Sequence, residues 1–152
     1  SRTGSRFFFV SCTNKGWKMN LSQMVMQAKR LEVWTCARDA SLREVAARMV
    51  SEDISSLVVV DDDEYLVGII TRTDLLRARM EAGLGWKDLT VEAYMSQEVV
   101  TVPSTSTLLE VANLLIDRHI HRVVVVRHEG DRLRPLAVVS SADLLYHMVK
   151  KI

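Results

Sequence analysis

Gly68-Ile69-Ile70-Thr71-Arg72-Thr73-Asp74-Leu75-Leu76 passes from an apolar, β-branched run into a helical one. Near the end of the chain Ala137-Val138-Val139-Ser140-Ser141-Ala142-Asp143-Leu144-Leu145 does the same. Working outward, Glu32-Val33-Trp34-Thr35 lines up with Glu98-Val99-Val100-Thr101. Leu42-Arg43-Glu44-Val45-Ala46 lines up with Leu108-Leu109-Glu110-Val111-Ala112, and Val58-Val59-Val60 with Val124-Val125-Val126, at one constant offset. A three-residue insertion in the second copy precedes the Thr71/Ser140 and Asp74/Asp143 pairs. Self-similarity of this kind implies two like halves stacked on each other. A cleft between them is a natural place for a ligand.

Each half reads strand, helix, strand, strand, helix. The first strand is expected at Val33 to Cys36. Ser41-Leu42-Arg43-Glu44 reads as a capping box heading a helix to about Glu52, because Leu42, Val45, Ala46, Met49 and Val50 recur at helical spacing. Leu57 to Val60 is a continuous apolar run, as in a strand buried on both faces. A polar turn, Asp61 to Glu64, leads to a strand at Leu66 to Ile70 and a helix at Arg72 to Glu81. Ala82-Gly83-Leu84-Gly85 breaks that helix. The second copy brings a short helical lead-in at Val91 to Met95 and a strand at Val99 to Val102. A capping box at Thr107-Leu108-Leu109-Glu110 heads a helix to about Arg118. A strand at Arg122 to Val126, a turn at His128 to Arg132, a strand at Leu136 to Val139 and a helix from Ser141 to Val149 complete it. The fold class is therefore mixed α+β, with helices covering short buried strands. The expected organisation is a leader or linker over 1–20, a first unit over 21–82, a linker over 83–90 and a second unit over 91–152. Within the first unit, Leu21 to Arg30 has helical composition. Residues 1–20 lack a counterpart in the repeat and read as a leader, an expression scar or the tail of a preceding domain.

Composition narrows the function. Of 152 residues, 48% are hydrophobic and 26% charged, with a net charge of +1. That is a globular balance without a broad basic surface for nucleic acid or anionic lipid. Halves of about 60 residues are marginal alone, so they are expected to dock. Cys12 and Cys36 form no disulfide framework or zinc spacing, which makes a reducing cytoplasm the default. Asp61-Asp62-Asp63-Glu64 lacks the spaced ligands and glycine of a calcium loop. Gly83-x-Gly85 follows no strand and has no third glycine, so it is not a dinucleotide fingerprint. His119-x-His121 lacks further ligands for a metal. No nucleophile with a base partner and no phosphate loop with a lysine is present, so enzymatic activity is not expected.

The order of motifs resembles a tandem pair of cystathionine-β-synthase-type (CBS) domains, the arrangement called a Bateman module. Its carriers are Gly68 to Asp74, then Val91-Glu92-Ala93-Tyr94-Met95-Ser96 and Glu98-Val99-Val100-Thr101-Val102. Ile120-His121-Arg122-Val123-Val124-Val125 also resembles a segment of the gamma subunit of AMP-activated protein kinase. Ala137 stands where the motif has glycine, and the usual proline of the buried strand is absent from both halves. The resemblance implies two pseudo-symmetric repeats packed through their sheets. It also implies a regulatory module that binds AMP, ADP or ATP between the halves, forms a homodimer and signals to an attached or partner protein.

Thr71-x-x-Asp74 and Ser140-x-x-Asp143 are the junctions to which this resemblance points. Each follows an apolar strand and opens a helix, whose first amides lack internal partners and attract phosphate. An aspartate there can accept from both hydroxyls of a ribose. The same pattern is also a capping box, and both readings stay open. His121 and Arg122 bring phosphate-binding donors where the first half has Ser55 and Ser56. Strand alternation would point them to opposite faces. Arg72 places a cation against the helix dipole, a conflict a bound phosphate would relieve. The resemblance further implies that Val33, Thr35, Val99 and Thr101 edge an adenine slot. The rival function is a ligand-free dimerisation or docking module of a larger enzyme, channel or transporter, favoured by the capping pattern and by Ala137.

Overall fold

The structure is a computed structural model, and it describes residues 33–150, with side chains to residue 145. The expected leader, the Leu21 to Arg30 helix and Cys12 lie outside the described residues. The elements run β1 (Thr35–Ala37), α1 (Leu42–Ser51), β2 (Ser56–Val60), β3 (Leu66–Thr71) and α2 (Arg72–Ala82). Two 3-10 turns follow (Gly83–Asp88 and Val91–Ala93), then β4 (Thr101–Pro103), α3 (Leu108–Asp117), β5 (Arg122–Glu129), β6 (Arg132–Ser140) and α4 (Ser141–Lys150). Each half builds a three-stranded sheet, β1-β2-β3 or β4-β5-β6. In both, the first pair is parallel and the second antiparallel.

Strand alternation assigns the two faces of each sheet. Leu57 and Val59 point under α1 into the first half's core, and Val123 and Val125 under α3 into the second. Val58, Val60 and Ile69 face Val124 and Val126, forming the apolar layer that joins the sheets. This layer explains why β2 and β5 are apolar on both sides. The boxes at Ser41 and Thr107 form as expected. Glu44 N donates to Ser41 Oγ at 3.2 Å, and Glu110 N to Thr107 Oγ1 at 3.1 Å.

The stretch between the halves is docked rather than a free tether. Val91 is fully buried in the first half's core, with Trp86, Leu89, Tyr94 and Met95 packed beside it. Val91 N donates to Ala40 O at 2.9 Å, and Leu42 N to Leu89 O at 2.9 Å. Ile69 and Ser96 exchange two backbone hydrogen bonds of 2.9 Å.

The expected turn at His128 to Arg132 is shorter, because β5 and β6 stay paired out to Glu129↔Arg132. Gly130, with φ of 69°, turns the chain. The insertion of the repeat lies in this extension, which reaches across to the β2–β3 hairpin of the first half. There Tyr65 donates its hydroxyl to Glu129 at 2.8 Å. The guanidinium carbons of Arg132 and Arg134 stand 4.0 and 4.4 Å from the centre of its ring. Arg132 pairs with Asp61 and Asp63, and Arg134 with Glu129. Two hairpin tips are thereby clasped across the halves.

Candidate functional site

Both strand-to-helix junctions are capped, in different ways. At β3–α2 the Asp74 carboxylate accepts from Thr71 N at 2.8 Å, Thr71 Oγ1 at 3.1 Å and Arg77 Nη1 at 2.9 Å. At β6–α4 Ser140 N donates to Asp143 at 2.9 Å, and Asp143 N donates back to Ser140 Oγ at 3.1 Å. Asp143 is 1% exposed and Asp74 8%. A ribose reaching either carboxylate therefore has to take over part of a cap.

A cavity of about 260 Å³ opens between β3 of the first half and the start of β5 of the second. It is slightly smaller than the ~300–1,000 Å³ of typical small-molecule sites. Ile69 of the first half lines it together with Val99, His121 and Arg122 of the second. His121 and Arg122 thus share one cleft, contrary to the expectation from alternation. The reason is local: β5 begins at Arg122, so His121 lies in the bend before the strand and outside its pleat. Glu98, Val100, His119, Ile120 and Val124 complete the wall. These residues were missed in the sequence, although their signal was there: they flank the motif on the opposite copy, so the cleft is built across the halves.

The remaining residues are placed as follows. Thr35 and Thr101 sit in the short strands opposite Val58 and Val124. Val33 packs against the apolar layer between the sheets, as Val99 does. Thr35 O accepts from Arg48 Nη1 at 2.7 Å. Neither threonine nor Val33 lines this cavity. Arg72 is exposed at the start of α2, with its amide bonded to Ser55 O at 3.1 Å. Arg122 is half-buried, and burial lowers its pKa, with Arg72 lowering it further and Asp74 and Asp143 opposing. Neither Arg72 nor Arg122 has a side-chain hydrogen bond or ion pair within the described residues.

Gly68 has a packing role. A Cβ there would meet Ser96 O at 2.8 Å and Met95 Sδ at 2.9 Å. The glycine admits the lead-in of the second half against β3. Ala137 in the equivalent position is accommodated with no exposure. A second cavity, of about 510 Å³, is lined by Arg38, Asp39, Asp61, Asp62, Asp63, Glu92 and Arg132. Its charges are largely paired, as in Arg38–Glu92 at 3.9 Å. Among the described residues no group of three or more His, Cys, Asp or Glu could hold a metal. None of their helices is long and apolar enough to cross a membrane.

The chain is 28% identical over 124 residues to an uncharacterized protein of Methanopyrus kandleri, covering 82% of this chain and 62% of that one. It is 36% identical over 100 residues to inosine-5'-monophosphate dehydrogenase of Halobacterium salinarum, covering 66% of this chain and 19% of the dehydrogenase. Among solved structures it superposes on a CBS domain pair in complex with 5-methylthioadenosine and S-adenosyl-L-methionine. The TM-score is 0.67 at 27% identity, over 80% of this chain and 92% of that one. The family model of the CBS domain matches twice, at residues 25–81 and 91–150. With its two like three-stranded halves joined through their sheets, the chain belongs to the CBS domain family as a tandem pair.

Proposed function

We propose that this pair is a regulatory, ligand-sensing module that binds AMP, ADP or ATP in the cleft between its halves. The observation that carries the reading is the shared cleft: Ile69 from one half faces Val99, His121 and Arg122 from the other. An apolar slot there suits a base. Asp74 would suit a ribose diol, and Arg122 with Arg72 would suit phosphate. The solved relative with bound 5-methylthioadenosine and S-adenosyl-L-methionine supports an adenosine-type ligand. Val33, Thr35, Thr101, Ser140 and Asp143 would serve the second, pseudo-symmetric cleft or its borders. Binding would act by favouring one packing of the halves over another. A second copy and an attached or partner protein would receive the change, and no chemistry on the ligand is part of this reading. A thermal-shift titration tests it. A ligand at 100 times its dissociation constant adds ~2.7 kcal/mol, and Asp74→Ala should abolish most of that shift. No shift with AMP, ADP or ATP would sink it.

The second reading is a ligand-free docking module within a larger protein. The completed caps favour it, since both aspartates already have partners. The same titration separates the two.

A further inference from the structure

Arg122 stands where the two halves' junctions meet. It lines the cleft between the halves together with Ile69 and Val99, and the charges of Asp74 and Asp143 both act on it. In the β5–β6 register its Cα partner is Ser140, the cap residue of the other junction. The preceding carbonyl, His121 O, accepts from Ser141 N at 2.9 Å, which ties this corner to the start of α4. The repeat-equivalent position is Ser56, opposite Thr71, which carries no charge. One half-buried guanidinium, without a hydrogen bond or ion pair within the described residues, therefore lies within reach of two aspartate junctions. Arg offers a fixed fork of donors that suits a phosphate, and a charge already paired with one phosphate attracts a second less strongly.

We propose that Arg122 is shared by the two clefts, so that an anionic nucleotide bound in one weakens binding of a second anionic nucleotide in the other. This rests on the adenosine-site reading and adds to it a direction of coupling, negative, and the residue that carries it. When phosphate enters one cleft, the guanidinium turns to it and its charge is no longer available to the other. A neutral ligand makes no demand on Arg122 and escapes the effect. By linkage the penalty is the same whichever cleft fills first.

Calorimetry with AMP and with the uncharged 5-methylthioadenosine provides the test. Asp74→Asn keeps a capping side chain while weakening the first cleft, and it reports the AMP affinity of the Asp143 cleft alone. Val99→Trp, which fills the first cleft, gives the same quantity if Asp74→Asn misfolds. In the wild type the second AMP should bind about fivefold or more weaker than that isolated affinity. 5-Methylthioadenosine should show no such gap. Arg122→Ser, which installs the residue of the first repeat, should close the gap for AMP. A second AMP that binds as well as in the blocked variant overturns the proposal, as does a gap that survives Arg122→Ser. Uptake of one AMP per chain by wild type and Arg122→Ser alike also overturns it. Failure of both ligands to bind the wild type removes the adenosine-site reading itself.

Discussion

Gly68 and Ala137 occupy the same repeat position under different constraints. Ser96 O, a backbone atom fixed by its hydrogen bond to Ile69, stands where a Gly68 side chain would go. Gly68→Ala should destabilise by about 1–3 kcal/mol, the usual cost of forcing atoms into a packed site. Urea unfolding would show it as a lower midpoint. Ala137→Gly should cost only ~0.5–1 kcal/mol, the strand entropy term. Equal losses at the two sites would mean that the glycine is not there for close approach. The sequence displayed this difference between the copies but not its cause, because the atom that excludes a side chain comes from a segment far along the chain. The half-buried thiol of Cys36 packs against the first half's core. Burial pushes its pKa up to about 11, so it stays protonated at neutral pH.

At the scale of elements, the hairpin extension shows what local composition hides. His128, Glu129 and Arg132 read as turn because the stretch from His128 to Arg132 is polar. They pair as strand because their far ends are held by Tyr65 and Asp61 of the other half. Both helices that open on Ser41 and Thr107 were legible, since a capping box is a local device. β1 and β4 appear one to two residues later than their apolar runs suggest, at Thr35–Ala37 and Thr101–Pro103. The clasp should respond to acid. Hydrogen bonds from Arg134, Arg127 and Tyr65 lower the Glu129 pKa from 4.5 to about 2. A carboxylate with a depressed folded pKa contributes stability that is present above its unfolded value and lost as pH falls through the folded one. The clasp's contribution should therefore fade between about pH 4.5 and 2. Thermal melts across that window should show a smaller decline for Glu129→Gln than for the wild type. Parallel declines would show that Glu129 does not link the hairpins. Hydrogen exchange of the β2–β3 turn amides should also quicken in Glu129→Gln.

The whole molecule leaves apolar side chains uncovered, and the repeat organises them. Val50 and Ile116 end the first helix of each half, while Leu76 and Leu145 begin the second, all of them exposed. Met80, one turn after Leu76 on the same helix face, is also exposed. Exposed apolar side chains can mark association, and equivalent positions in two like halves suit the self-complementary interface of a two-fold dimer. Leu76 lies two residues beyond Asp74 and Leu145 two beyond Asp143, so each helix that begins at a candidate ligand junction also carries a candidate contact residue. In sedimentation equilibrium the wild type should have twice the 17.2 kDa chain mass. Leu76→Glu combined with Leu145→Glu should return it to monomer while leaving the far-UV circular dichroism unchanged. A wild-type monomer, or a dimer indifferent to both charges, would place these side chains against another protein. Because one short helix joins ligand to contact, AMP should change the dimer dissociation constant, and dimer formation should change AMP affinity by the same factor. A dimer dissociation constant that AMP leaves unchanged would mean that this helix does not join cleft to contact.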